Sequence, residues 1–178
     1  MLIRPATPDD APAVAAVRVA SWRVTYRGVV PDSHLDALTP AESEDRWRAV
    51  ASGAEPGHEL LVCETPDGVV GFAAYGAARP PTFGYAGELH ATYYLPAAMG
   101  KGYGSAMLRQ VTANLCRLGH DDMIVWVIEA NARGRAFYEN VLHMTPVAGA
   151  RQSFTIDGRE IFEMAYGLRP LSRAAAPR

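Results

Sequence analysis

The sequence predicts an α/β (α+β) fold in which helices flank both faces of a mixed, mostly antiparallel central sheet. Segments typical of strands and helices follow one another in the order β, α, α, β, β, β, loop, α, β, α, β, β, and this order packs helices onto one sheet. The segment MIVWVIEA begins with a continuous apolar run, which is typical of a central strand covered on both faces. Turn residues at Pro66-Asp67-Gly68 and Asp157-Gly158 separate pairs of strands and predict hairpins.

The first half of the chain opens with a short strand in LIRPAT, followed by a helix over residues 11–27. The helix start TPDDAP supplies a capping oxygen and acidic residues in the first turn. A second helical region follows in residues 28–53, where Thr39-Pro40 is a cap-plus-proline signature that restarts the helix. The segment ELLVCETPDGVVGFAAYGA then contains the two strands of the first hairpin.

The second half adds a strand in GELHATYYLP, a helix over residues 104–118, the central strand, a helix in ARGRAFYENVL and a terminal hairpin in residues 152–168. The helix at 104–118 has a buried face, because its apolar residues are spaced by one, three and four positions. These residues are Met107, Leu108, Val111 and Leu115. We expect residues 1–168 to form a single domain and residues 169–178, RPLSRAAAPR, to be a disordered tail.

Composition narrows the possible partners. The net charge of −2 over 178 residues gives no general attraction to nucleic acid or to an anionic membrane. The N-terminus lacks the layout of a signal peptide, and no apolar run approaches about 18 residues, so the sequence predicts a cytoplasmic protein. Cys63 and Cys116 are far apart and lack a Cys or His neighbour at metal-binding spacing; we therefore expect two reduced, buried thiols and no metal site.

The segment AAMGKGYGSAML, residues 97–108, places three glycines around a lysine just before a helix. It is not a Walker A loop, because Gly102 stands where that motif needs Ser or Thr after Lys101. It is not a dinucleotide fingerprint either, since Ser105 or Met107 occupies the last glycine position. Free backbone N–H groups at the start of a helix can bind a diphosphate without metal. A glycine-rich turn that only packs is the alternative interpretation.

Two segments resemble the hallmarks of one enzyme family. GELHATYYLPAAMGKGYGSAM, residues 87–107, resembles motif A of the GCN5-related N-acetyltransferases (GNAT family), which is Q/R-x-x-G-x-G/A after a strand. WVIEANARGRAFYENV resembles the second hallmark, an Asn followed seven residues later by Tyr, here Asn131 and Tyr138. Two positions depart from the family. Met99 stands where Gln or Arg is usual, and LHM at 142–144 replaces LGF.

The resemblance implies a binding site for acetyl-coenzyme A. The end of the motif-A strand would pair with the pantetheine arm, and a backbone N–H there would stabilise the oxyanion of the reaction. The glycine loop would hold the pyrophosphate, and Asn131 would bind the pantetheine amides. The implied cofactor-binding residues are Thr92, Tyr93, Tyr94, Gly100, Lys101, Gly102, Tyr103, Gly104, Ser105 and Asn131.

Catalysis requires a base and an acid. The attacking amine must lose a proton, and Glu88, which matches the catalytic glutamate of histone-modifying relatives, is the predicted base. His90, Glu129 or water are alternatives. By the same resemblance, Tyr138 is the predicted donor of a proton to the leaving thiolate, against the alternative of an aromatic core residue.

The sequence thus predicts an acetyl-coenzyme A-dependent N-acetyltransferase. The acetyl group would pass by direct attack to a primary amine of a small molecule or peptide. A non-catalytic module that senses acyl-coenzyme A is the alternative. The acceptor pocket is expected between residues 22–31 and 148–157, where Trp22, Arg23 and Phe154 are among the candidates. By the same resemblance, we expect the protein to form a homodimer.

Overall fold

The computed structural model describes residues 1–171, which fold into one seven-stranded sheet with helices packed against it. The strands are β1 (Leu2–Pro5), β2 (His58–Thr65), β3 (Gly68–Ala77), β4 (Gly87–Tyr94), β5 (Met123–Ile128), β6 (Thr145–Ile156) and β7 (Arg159–Leu168). The α-helices are α1 (Ala11–Thr25), α2 (Asp32–Ala37), α3 (Ala41–Ala51), α4 (Tyr103–Arg117) and α5 (Ala132–Val141). Their succession along the chain is the predicted one, with the second helical region divided into α2 and α3.

The sheet has the order β1-β2-β3-β4-β5-β7-β6. Only the β4–β5 pair is parallel, and every other neighbouring pair is antiparallel. The predicted mixed, mostly antiparallel sheet is therefore confirmed. Strand β5 is almost fully buried along its length, as expected of a central strand covered on both faces.

Helices cover both faces of the sheet, as predicted. On one face, α1 and α3 pack against β2 and β3, with Val14, Trp47 and Phe72 in that cluster. On the other face, α4 and α5 pack through a cluster that includes Met107 and Leu142, which we call the α4 core cluster. This apolar burial on the two faces stabilises the sheet and fixes the strands that line the site described below.

Helix ends differ from the prediction by one or two residues. Helix α1 ends at Thr25 rather than at residue 27, because the N–H of Tyr26 closes the last turn on the carbonyl of Trp22 and Gly28 follows with φ +80°. Helix α4 begins at Tyr103 and ends at Arg117, one residue earlier at each end than predicted. Such shifts leave the faces of both helices unchanged.

The chain enters the terminal hairpin earlier than predicted, because β6 begins at Thr145 rather than at residue 152. The turn before it forms without the usual family glycine, since His143 itself adopts φ +51°. The pairing of β6 with β7 then shifts register between Pro146 and Arg151. The first residues of β6 therefore do not alternate regularly between buried and exposed positions, so the sequence pattern did not reveal them as part of a strand.

Two residues of the predicted tail, Arg169 and Leu171, contact the rest of the fold. Leu171 is fully buried in the α4 core cluster, and its N–H donates to the carbonyl of Asp121. Arg169 forms an ion pair with Asp122 and lies over the ring of Tyr85. The first residues of the expected tail thus contact the folded domain, and residues 172–178 lie outside the described part of the chain.

Candidate functional site

The sheet opens between its two parallel strands. Strands β4 and β5 pair only through Gly87–Leu89 and Met123–Val125, although both strands continue beyond these residues. A cavity of about 800 Å³ occupies the opening, a volume within the range of small-molecule sites. It is lined by α1, β4, the glycine loop, β5, α5 and the terminal hairpin. The interrupted pairing is therefore what creates the site.

A bulge in β4 bends the strand at the cavity. The pairing with β3 steps from Ala74 with Ala91 to Tyr75 with Leu89, which leaves His90 as an extra residue. Bulges of this kind increase the local twist and redirect the strand. The bulge lies next to the last paired residue of β4 on the β5 side, so it contributes to the separation of the two strands.

The glycine loop forms one end of the cavity. Gly100 and Gly102 adopt φ +80°, and Gly102 immediately precedes α4. The first N–H groups of the helix lack intrahelical acceptors and are the donors that the loop presents. Gly104 faces Phe137 so closely that a Cβ would lie 3.0 Å from the ring. The lack of a side chain at Gly104 is therefore explained by its packing against Phe137, whereas a Cβ on Gly102 would meet no atom within 4 Å.

Not every predicted loop residue reaches the cavity. Gly100, Gly102, Gly104 and Ser105 line it, whereas Lys101 and Tyr103 do not. The side chain of Lys101 is exposed, and Tyr103 packs against the α4 core cluster.

Arg133 adds a positive charge to the loop end of the cavity, which Lys101 does not line. Met99 lines the cavity but brings no charge, in agreement with the departure seen in the sequence. Arg133, in the first turn of α5, also lines the cavity, and its Nη2 lies 3.9 Å from the position a Cβ would take on Gly100. The sequence analysis did not predict Arg133 as a site residue, although Arg133 lies only two positions after the predicted site residue Asn131.

The predicted pantetheine residues line the middle of the cavity. Thr92, Tyr93 and Tyr94 are the last residues of β4, and Asn131 faces them across the opening. The Oδ1 atom of Asn131 accepts the N–H of Gly134 at 2.8 Å and so caps α5. This cap fixes the side chain, whose amide also lies next to the Tyr26 hydroxyl.

Tyr138 belongs to the core and to the cavity at once. It is 7% exposed, lies in the α4 core cluster and lines the cavity. Burial raises the pKa of the Tyr138 phenol above its usual range, so the hydroxyl stays protonated and can donate.

Glu88 is buried in an ion pair with Arg79. The Glu88 side chain is 1% exposed. One carboxylate oxygen accepts the backbone N–H of Arg79 at 2.8 Å, and the other accepts from both Nε and Nη2 of the Arg79 guanidinium. Both residues line the cavity. The two oxygens of Glu88 are therefore already occupied by donors.

His90 lines the cavity but turns its free nitrogen away from solvent. Its Nε2 lies 3.0 Å from the carbonyl oxygen of Ala77; because a carbonyl only accepts, Nε2 is the nitrogen that carries the hydrogen. Burial lowers the pKa of His90, so the ring is neutral and Nδ1 holds a lone pair. Nδ1 is buried and has no hydrogen-bond partner.

Glu129 lies apart from the cavity residues. Its carboxylate accepts from the Arg151 guanidinium at 2.7 and 3.2 Å, and this hydrogen bonding lowers the pKa of Glu129. It does not line the cavity.

Glu163 is a cavity carboxylate that the sequence reasoning missed. It lies on β7, opposite Ile128 of β5 and Gln152 of β6. Its Oε2 accepts from Nε2 of Gln152 at 3.1 Å, and burial raises the pKa of Glu163. The signal was present in β7, where Glu163 interrupts the buried alternation of Ile161 and Ala165.

Some of the residues expected around an acceptor line the cavity, and others do not. Trp22, Tyr26 and Phe154 line it. Arg23 instead donates to the carbonyls of residues 35, 36 and 38, and Arg27 pairs with Asp36. These two arginines therefore hold α2 in place and do not face the cavity.

Across residues 1–171, no three His, Cys, Asp or Glu side chains form a group suited to a metal ion. Both cysteines are free, but Cys116 is exposed rather than buried as expected. Over the same span, no helix has the length and apolar composition needed to cross a bilayer.

Known proteins are similar to this chain in sequence and in fold. The model of the "Acetyltransferase (GNAT) domain" family matches residues 1–141. YuaI of Bacillus subtilis (strain 168), an uncharacterized N-acetyltransferase, is 34% identical over 171 residues, which cover 96% of this chain and 94% of YuaI. The ribosomal-protein-alanine N-acetyltransferase of Brucella melitensis superposes with a TM-score of 0.74 at 24% identity over 95% and 99% of the two chains. YncA of Salmonella typhimurium, solved with acetyl-CoA, gives 0.69 at 24% identity over 99% and 97%. The chain belongs to the GNAT acetyltransferase family.

Proposed function

We propose that the protein transfers the acetyl group of acetyl-coenzyme A to a primary amine of a small molecule or peptide by direct attack. The observation that carries the proposal is the cavity between β4 and β5, with helix-start N–H groups at one end and carboxylates at the other. Family membership supports the acetyltransferase class, and the solved structure of YncA holds acetyl-CoA.

The loop end of the cavity fits a diphosphate. Gly100 and Gly102 bring the backbone close without side chains, and the N–H groups at the start of α4 attract anions through the helix dipole. Arg133 adds a guanidinium on the opposite wall. In this proposal these groups bind the pyrophosphate of acetyl-coenzyme A, and Lys101 contributes from outside the cavity through its charge alone.

The middle of the cavity fits an extended chain of amides. Strand β4 has lost β5 as a partner beyond Leu89, so its backbone groups at Thr92–Tyr94 are available on that side. We infer that they pair with the pantetheine arm, with Asn131 on the facing wall. A backbone N–H near the end of β4 would then stabilise the oxyanion that forms on attack.

The chemical step needs two proton movements. The amine nitrogen forms a bond to the thioester carbon, the carbon–sulfur bond breaks, and the thiolate leaves. In this proposal Tyr138, which lines the cavity, donates a hydrogen bond or a proton to the departing sulfur. Candidates for the base inside the cavity are Glu88, His90 and water, while Glu129 would act only if it left its ion pair with Arg151.

A thiol-release assay tests the proposal. Purified protein is incubated with acetyl-coenzyme A and a panel of primary amines, amino acids and peptides, and free coenzyme A and acetylated product are both measured. We expect stoichiometric release and product with at least one amine. Tight binding of acetyl-coenzyme A with no turnover across the panel would favour the acyl-coenzyme A sensor instead. No binding at all would overturn both.

A further inference from the structure

We propose that Glu163 binds the ammonium group of the acceptor and takes its proton. This inference rests on the proposed function and names both the base and the charge of the substrate. It concerns a residue of β7, outside the motifs by which the sequence was recognised.

Two carboxylates line the cavity in the described part of the chain, Glu88 and Glu163. Arg79 donates to both oxygens of Glu88, so a substrate would have to displace a buried ion pair to use it. Glu163 receives one hydrogen bond, from the neutral amide of Gln152 at 3.1 Å. Glu163 is thus the cavity carboxylate without a cationic partner.

The position of Glu163 suits an acceptor rather than the acetyl donor. Its neighbours two residues away on β7, Ile161 and Ala165, belong to clusters on the face that α1 and the hairpin share. Trp22, Tyr26 and Phe154 line the cavity around this face. The glycine loop lies at the other end of the cavity. Glu163 instead lies near the aromatic residues Tyr26 and Tyr93.

The charge of this side of the cavity selects a cation. Arg79 and Glu88 neutralise each other, which leaves the negative charge of Glu163. Aromatic faces beside a carboxylate favour an organic ammonium through cation–π attraction. An acceptor with a carboxylate close to its amine would instead be repelled by Glu163. We therefore expect a primary ammonium next to an apolar or aromatic group.

Glu163 is also suited to hold the proton. Burial raises its pKa, with Glu88 acting in the same direction and Gln152 and Arg79 opposing it. Tyr26 and Tyr93 face it from α1 and β4, and burial raises the pKa of both phenols, so they are neutral. In the step, the proton leaves the ammonium nitrogen for a Glu163 oxygen, and the freed lone pair attacks the thioester carbon. The thiolate departs with the electrons of the carbon–sulfur bond and takes a proton from the Tyr138 hydroxyl. The nitrogen loses its second proton as the amide forms, and this proton restores the Tyr138 hydroxyl. Glu163 later returns its own proton to solvent.

The kinetic test compares Glu163→Gln with Glu160→Gln, an exposed glutamate on the same strand. With the best amine of the panel, we expect kcat/KM of Glu163→Gln to fall on the order of a hundredfold at neutral pH. The pH at which kcat/KM of this variant rises should move to the pKa of the acceptor amine itself. Glu160→Gln should match the wild type. An aromatic amine, unprotonated at neutral pH, should lose far less in the Glu163 variant; an equal loss for both amines would overturn the role as base.

A binding test stands apart from turnover. Phenethylammonium chloride serves as the probe, and the carboxyl carbon of Glu163 is followed by NMR in the wild type. We expect the probe to shift this signal and to raise the melting temperature of the wild type but not of Glu163→Gln. Equal stabilisation of both proteins would overturn the inference. Failure of the thiol-release assay while the probe still binds would instead count against the proposed function.

Discussion

Gly102 and Gly119 bracket helix α4 in nearly the same left-handed conformation, with φ of +80° and +86°. In both places a Cβ would meet no atom within 4 Å. The two glycines therefore impose the same backbone requirement on opposite ends of one helix. Only Gly102 lies at the positive end of the helix dipole and lines the cavity.

Gly102→Glu should abolish acetyl-coenzyme A binding, while Gly119→Glu should not. Each variant should lose about 1–2 kcal/mol of folding free energy, because a side chain at positive φ is strained. Only the first places a carboxylate where the pyrophosphate is proposed to bind. Isothermal titration calorimetry measures the affinity, and urea unfolding shows that the strain is matched. Equal affinity in both folded variants would refute the assignment of the loop.

Arg133→Ala should weaken acetyl-coenzyme A binding by about fivefold at low salt, the effect of losing one partly exposed ion pair. The difference from wild type should shrink at high salt, because the contact is screened. Arg109→Ala is the matched control, since Arg109 is exposed on α4 and does not line the cavity. Affinity is measured at two salt concentrations. A larger loss in the Arg109 variant would show that Arg133 has no local role.

Tyr138→Phe should lower kcat by about a hundredfold if the hydroxyl assists thiolate departure. The ring stays in place, so folding and cofactor affinity should hardly change. Steady-state kinetics with saturating amine, together with melting temperature, make the comparison. Tyr166→Phe, which removes a hydroxyl from a residue of the same core cluster that does not line the cavity, is the matched control. Wild-type turnover in Tyr138→Phe would return this residue to a packing role.

Glu88→Gln separates a base from a structural ion pair. If Glu88 serves mainly to hold Arg79, the variant should unfold more easily but keep the shape of the wild-type pH–rate profile. If Glu88 is the base, the rate should fall at neutral pH and partly recover as pH rises and free amine accumulates. Rates across pH, with urea unfolding of the same samples, distinguish the two outcomes. The second outcome would favour Glu88 over Glu163.

Acid should weaken the N-terminal strand contact. Arg4 donates two hydrogen bonds to Asp10 at 2.7 and 2.9 Å, and this contact lowers the pKa of Asp10 to about 2. The unfolded value is about 3.9, so the pair stabilises the fold above about pH 4 and is lost as pH falls toward about 2. Asp10→Asn should cost up to about 2 kcal/mol at neutral pH and progressively less below pH 4. Urea unfolding from pH 3 to pH 7 tests this; a constant difference would contradict it.

The sequence was sufficient for the order of elements and for the residues that lie in motifs. The apolar runs and turn residues predicted the strands, because period and turn chemistry are local properties. Gly102 and Asn131, which line the cavity, belong to local motifs that the sequence displays. Arg133 and Glu163 were missed, since their presence in the cavity depends on how distant parts of the chain come together. The pairing of Arg79 with Glu88 depends in the same way on a loop folding back onto a strand, which no local pattern reveals.

The interruption between β4 and β5 also bears on how the protein avoids unwanted partners. Unpaired strand edges are normally found at the border of a sheet, where they invite strands of other proteins and promote aggregation. Here an open edge lies inside the sheet, with side chains of α1 and α5 around it. A neighbouring polypeptide strand with its own side chains would collide with these helices, whereas a slender chain of amides would not. The fold thus keeps a strand edge available to its ligand and closed to other proteins.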